Sequence, residues 1–208
     1  MSMKINNYDS NEELYFSWYC EELKEHKLII DYSYHEIQYV LSDRITMPSF
    51  IKHKGKERYK DRFLSHDHIY TPDFILYWTE KGLDYLTEKS RYFKYYTNGY
   101  FELSMRNRDI VSIIDVKGIF AGKNNSTAVT FPLNQKWVFQ KYGDYVQKII
   151  PIKLFEETFF PKRYMYNDEG KKPRRRKVGI EYRDIKDMRL PMIDDFIQKR
   201  TALLQNNN

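Results

Sequence analysis

Two short segments hold the residue types that act on a phosphodiester: Tyr70-Thr71-Pro72-Asp73-Phe74 and Ile114-Asp115-Val116-Lys117-Gly118. Side chains alternate along a strand, so Asp115 and Lys117 project from one face while Ile114 and Val116 enter the other. Asp73 stands early in its own segment, with Phe74, Leu76 and Trp78 on the opposite side. If the two strands pair, the carboxylates meet, and like charges that close repel unless a cation lies between them. The usual solution is a hard divalent cation bound through oxygen. A lysine two residues from one carboxylate then stabilises charge developing on a phosphate, or orients an attacking water. The bland alternative makes Asp73 strand-start punctuation and Asp115 with Lys117 an exposed same-face pair worth about a few tenths of a kcal/mol.

The elements that must position these groups follow from periodicity. Ser10 to His26 reads as a helix with Leu14, Trp18 and Leu23 near one face, and Ser10 with Glu13 forms a capping box that puts Glu12 and Glu13 in the first turn. Leu28–Ser42 is rich in aromatic and β-branched residues and reads as one or two strands. The polar stretch 48–68 reads as a loop or weak hairpin leading into a strand at Ile69–Trp78. Residues 79–109 are ambiguous between helix and strand, and Asp109–Ile119 is a third strand closed by the turn at Gly122–Asn125. Asn134–Gln147 has helical spacing, Ile149–Phe155 is strand-like, no pattern is evident from Phe160 to Glu181, and a last helix follows Pro191.

Composition sets the outer bounds. The 208 residues carry a net charge of +6 and 17% aromatic side chains, which excludes a large multidomain assembly and argues against disorder over most of the chain. One cysteine, Cys20, forms neither an internal disulfide nor a cysteine-based zinc site and suits a reducing compartment. No apolar stretch approaches a membrane span or a signal core, so a cytoplasmic protein of a bacterial or phage-infected cell is expected. Nineteen tyrosines with frequent Lys, Asn and Ile fit the coding bias of an AT-rich genome. The pI of about 9.1 makes polyanions the default partner. The basic residues cluster, at Lys52, Lys54, Lys56, Arg58, Lys60 and Arg62 and again at Lys171, Lys172, Arg174, Arg175, Arg176 and Lys177. Such runs are either solvated loops or contacts to a phosphate backbone. His66-Asp67-His68 is not expected to bind zinc, because no further His or Cys cluster stands nearby; a DNA contact from His66 or His68 stays open.

The ordered set of segments resembles the PD-(D/E)XK nuclease superfamily, whose motif is Pro-Asp followed by an acid, any residue and Lys. The wording of the two strands is similar to the transposon-end endonuclease and phage Holliday-junction resolvase branches, and the resemblance spans roughly Ser10 to Phe155. It implies an α/β, restriction-endonuclease-like fold, a mixed central β-sheet flanked by helices. Here 79–109 would be an insertion between the second and third core strands, 1–159 the core and 160–208 a basic extension ending in a helix. It implies that Asp73, Asp115 and the backbone carbonyl of Val116 hold Mg²⁺ or Mn²⁺, that Lys117 is catalytic and that Glu13, with Glu12 as its rival, is the helical acid. Gln135 and Lys136 occupy the place of an auxiliary residue in several branches. The expected activity is metal-dependent cleavage of DNA, with Lys54, Lys56, Arg58, Arg174, Arg175, Arg176 and Lys177 holding the backbone. A homodimer, or a phage or transposition protein as partner, is a further expectation. The competing expectation is a nuclease fold without catalysis, serving as a DNA-binding or virion component.

Overall fold

The computed structural model describes residues 7–87, 99–118, 126–166, 175–178, 181–184 and 190–206. The chain begins with helix α1 (Asn11–Glu25), whose start is fixed by the Ser10 hydroxyl accepting from the Glu13 N–H at 3.2 Å. Glu12 and Glu13 sit in its first turn, where the helix dipole favours carboxylates. The chain then turns at Lys27, which has φ +57°, into β1 (Ile29–Tyr34), followed by β2 (Tyr39–Ser42), β3 (Ile45–His53), β4 (Lys56–Ser65), β5 (His68–Tyr70) and β6 (Phe74–Trp78). Next come α2 (Glu80–Leu86), β7 (Ser104–Arg106), β8 (Asp109–Val116), α3 (Ser126–Tyr142), β9 (Val146–Ile149), α4 (Pro151–Glu157) and α5 (Lys162–Met165). The hairpin β10 (Arg175–Val178) and β11 (Glu181–Asp184) precedes α6 (Ile193–Asn206).

The central sheet runs β1-β6-β8, all antiparallel, with registers Ile29↔Trp78 to Tyr34↔Phe74 and Phe74↔Ile114 to Tyr77↔Val111. The far edge of β8 is shared: β7 lies antiparallel to its first half and β9 parallel to its second, from Ile113↔Val146 to Val116↔Ile149. The sheet is therefore mixed, with helices packed on both faces. One face buries Phe74, Leu76, Trp78, Ile114 and Val116 against Phe16, Tyr19, Cys20 and Leu23 of α1. The other buries Ile75, Val111 and Ile113 against Phe131 and Val138 of α3, together with Tyr39 and Tyr70. The alternation of β6 and β8 between two apolar layers is what allows so short a chain two cores. Each large apolar side chain so buried contributes about 1.5–3 kcal/mol relative to exposure.

Tertiary context moves several boundaries away from the periodicity. The expected strand Ile69–Trp78 is two strands, because Pro72 has no N–H to give a ladder and β5 pairs with β2 while β6 pairs with β1 and β8. The expected helix Asn134–Gln147 is shifted: α3 begins at Ser126 and ends before Gly143, whose φ of +76° suits glycine, and Val146 and Gln147 belong to β9. The expected strand Ile149–Phe155 is mostly α4, which Pro151 opens at a first-turn position where a missing N–H costs nothing. The 79–109 stretch contains α2 and β7, and its residues 88–98 lie outside the described residues. Beyond residue 159 the chain contributes Phe160, Met165, Ile193 and Phe196 to the core on the α1 face. No helix among the described residues is long and apolar enough to cross a membrane.

Candidate functional site

The β6–β8 register brings the two chemistry-bearing segments together. Its end pair is Phe74↔Ile114, so Asp73 stands one step further on, across from Asp115. The long stretch of chain between the two strands leaves them neighbours in space. Asp73 Oδ2 accepts a hydrogen bond from the Val116 N–H at 2.6 Å. Asp115 is 4% exposed; its Oδ2 accepts from the Tyr70 hydroxyl, and its Oδ1 faces the Lys117 ammonium in an ion pair. Lys117 is itself anchored where β8 ends, its N–H donating to the Ile149 carbonyl at 2.8 Å. Acid and base thus lie on one surface, as strand alternation requires, and they touch.

The electrostatics follow from burial. The Asp73 carboxyl is pushed up from 3.8 to about 7, first because it is desolvated and next because Asp115 lies beside it; Lys117 and the Val116 N–H oppose the rise and Glu13 adds to it. The Tyr70 phenol is held far above its ordinary value by burial and by the negative charge of Asp115. It therefore stays protonated and donates.

Glu13 reaches this end of the sheet from α1. Its Oε1 accepts from the Ser10 hydroxyl at 2.7 Å, and its Oε2 from the Asp9 N–H at 2.9 Å and the Tyr34 hydroxyl at 2.5 Å. Between Glu13 and Asp73 stands His35. It has φ +54°, its N–H donates to the Asp73 carbonyl at 2.9 Å, its Nε2 lies 3.4 Å from Asp73 Oδ1, and its ring stacks on Tyr34 at 3.8 Å. Ligand atoms of Asp9, Glu13 and His35 lie within 4.8 Å of one another, and among the described residues this is the one three-residue set that close. Asp73, Asp115 and Glu13 therefore do not share a single set that tight; His35 bridges them. Glu12 also comes near, its Oε1 at 3.3 Å from where a Cβ on Gly118 would stand, so glycine after Lys117 leaves room for that carboxylate.

Other expected residues are elsewhere. Gln135 donates its side-chain N–H to the Val146 carbonyl at 2.6 Å, bracing α3 on β9, and Lys136 is exposed, so neither has a described contact with the carboxylates. Lys54 lies in the β3–β4 turn, and Lys56 and Arg58 lie on β4. Arg174 lies outside the described residues, while Arg175, Arg176 and Lys177 form β10, a strand where the sequence showed no pattern. His66 packs on Phe63 at 4.6 Å and His68 on Trp137 at 5.5 Å, so the pair is divided between two aromatic rings. Sequence reasoning missed His35, Asp9, Tyr34 and the role of Tyr70. Only Tyr70 carried a signal, as the aromatic that opens the Thr-Pro-Asp segment. Comparison with family models, curated proteins and solved structures finds no match for this chain.

Proposed function

We propose that this protein is a divalent-metal-dependent endodeoxyribonuclease of the restriction-endonuclease-like fold. The observation that carries the reading is Asp73 set across from Asp115 at the end of paired strands, with Lys117 on the Asp115 side. The donor set suits Mg²⁺ or Mn²⁺. It is all oxygen and largely removed from solvent, and its negative charge is undercompensated at Asp73, as the raised carboxyl records. Asp73, Asp115 and the Val116 carbonyl would hold the ion, with Glu13 behind His35 at the same rim, and the ion would supply Lewis-acid polarisation of the phosphate and neutralise the site.

The chain's own groups do the rest. Tyr70 and Lys117 orient Asp115 by offering a hydroxyl and an ammonium to its two oxygens. Lys117, partly exposed at the strand end, presents its positive charge to the non-bridging oxygens as they gain charge. Asp73, near neutrality at pH 7, takes a proton on one oxygen while the other stays fixed by the Val116 N–H. Glu13 is held rigid by three donors and His35 links it to Asp73.

Plasmid, branched and single-stranded DNA incubated with and without Mg²⁺, beside Asp115→Ala, tests the reading. Metal-dependent cleavage that the variant lacks is expected, and equal cleavage by the variant removes the site assignment. The second reading, a nuclease fold that binds DNA without cutting it, is favoured by one observation: Glu13 uses its oxygens on Ser10, Asp9 and Tyr34. DNA binding without cleavage of any substrate under Mg²⁺ or Mn²⁺ would establish it.

A further inference from the structure

The β3–β4 hairpin departs from the rest of the chain in having no core of its own. Apart from Ser49 and Ser65, every side chain described on its two strands is exposed, including Phe50 at 73% and Tyr59 at 60%. The turn at Lys54 and Gly55 has positive φ at both residues, +52° and +74°, the two-residue form whose twist matches paired strands. At about 3.3–3.4 Å per residue the ribbon is about 30 Å long. An isolated two-stranded hairpin of this kind is marginal in water unless something covers it.

Its charge is sorted by face. The register pairs Met47 with Arg62, Ser49 with Lys60, Ile51 with Arg58 and His53 with Lys56, so Lys56, Arg58, Lys60 and Arg62 all project from one side of β4 at about 6.7 Å intervals. No acidic residue alternates onto that side. The opposite side carries Lys52 across from Glu57, Phe50 across from Tyr59, and Asp61, which accepts from the Tyr59 hydroxyl. The rings of Phe50 and Tyr59 meet edge to face at 5.9 Å, and Arg44 lies over Phe63 at 5.2 Å. One face is thus internally paired, whereas among the described residues no carboxylate forms an ion pair with any of the four cations on the other. Four like charges held in a row are unfavourable until an anion of similar length meets them.

We infer that this basic face of the ribbon is a binding surface for the phosphate backbone of duplex DNA, with Lys56, Arg58, Lys60 and Arg62 as its contacts. Charge complementarity argues for the backbone, and a two-stranded ribbon is one of the elements the major groove admits. The choice of DNA rests on the nuclease reading. Ser65 leads through β5 to Tyr70, which bonds Asp115, so the ribbon's base joins the candidate site. Lys52, which the sequence groups with these cations, falls on the other face and is excluded.

The test is fluorescence anisotropy with a short labelled DNA duplex in EDTA, titrated with salt. Removing one cation that binds a phosphate lowers the slope of log affinity against log salt by about 0.9, hence affinity at 0.1 M salt by about 0.9 decade. Arg58→Ala/Lys60→Ala is expected to bind roughly 60-fold more weakly, with a slope smaller by about 1.8. Lys153→Ala/Lys199→Ala, which removes the same charge from exposed sites elsewhere, is expected to bind like the wild type. Arg58→Lys/Lys60→Arg is expected to restore binding. Equal weakening in the two alanine doubles, or an unchanged slope in the ribbon double, overturns the inference; tighter binding of a single strand than of the duplex overturns the choice of duplex. A wild-type protein that shows this binding pattern and never cleaves would remove the nuclease reading and leave the ribbon's role standing. Cleavage with unaltered binding by the ribbon double would do the reverse.

Discussion

Replacing Asp73 by Asn removes a charge while nearly preserving shape, because the amide oxygen still accepts from the Val116 N–H. The wild-type carboxyl is raised from 3.8 to about 7 by burial and by Asp115. Below the lower value the group is protonated in both folded and unfolded chains and has no pH-linked effect. Between the two values the unfolded chain releases the proton while the folded chain keeps it, so wild-type stability falls as pH rises; above about 7 the cost is constant. A gap of about three units at 1.36 kcal/mol per unit bounds the cost at about 4 kcal/mol, and coupling to Asp115 and Lys117 brings the expected value to about 2–4 kcal/mol. At 2–4 °C per kcal/mol for a chain of this size, Asp73→Asn should melt roughly 4–15 °C above the wild type at pH 8, with little difference near pH 4. Glu22, pushed up to about 7 by its own burial, adds a similar slope to both proteins and cancels in the difference. Thermal unfolding followed by circular dichroism across pH 4–8, in EDTA, reads this directly. Added Mg²⁺ should narrow the gap by stabilising the wild type alone, and the variant should not cleave DNA. A melting difference that does not change with pH, or a variant less stable at pH 8, would refute the presence of an undercompensated carboxylate at this position.

Three further substitutions examine other parts of the site. Lys117→Ala should lower cleavage by about 10²–10³-fold with little change in DNA affinity measured in EDTA, since the ammonium is proposed to act on developing charge. Tyr70→Phe leaves Asp115 Oδ2 buried without its donor and should cost about 1–3 kcal/mol of stability in urea unfolding. Glu13→Gln keeps the acceptors on one oxygen only and removes the charge that adds to the rise of Asp73, so metal-dependent cleavage should fall while the melting temperature changes by only a few degrees.

Legibility in the sequence followed the range of the physics involved. Asp115 and Lys117 were readable because strand alternation is local and needs no partner, and Asp73 because Pro72 marks where a ladder must begin. His35 was not readable: its position depends on a left-handed turn after β1 and on Tyr34 stacking, neither of which has a periodic trace. Gln135 was misplaced because a helix position alone does not say which strand the side chain meets, and the parallel strand β9 supplied the Val146 carbonyl first. The ribbon was half legible. Lys56, Arg58, Lys60 and Arg62 alternate as strictly as any buried strand, yet they read only as a loop or weak hairpin because the alternating property was charge rather than apolarity.

The site's location follows from the two cores. Asp115 shares its face with Val111 and Ile113, toward α3, whereas Glu13 rides on α1 against the opposite face through Phe16 and Tyr19. A sheet separates groups on its two faces everywhere except at the strand ends. β6 starts, β8 stops and β1 stops at the same end, and α1 starts there. Charged groups from both layers therefore approach one another at that rim, where His35 leaves β1 and lies between Asp73 and Glu13. A side chain at Gly118 would meet the Glu12 carboxylate at this rim and displace it by a few tenths of an ångström, leaving both cores intact.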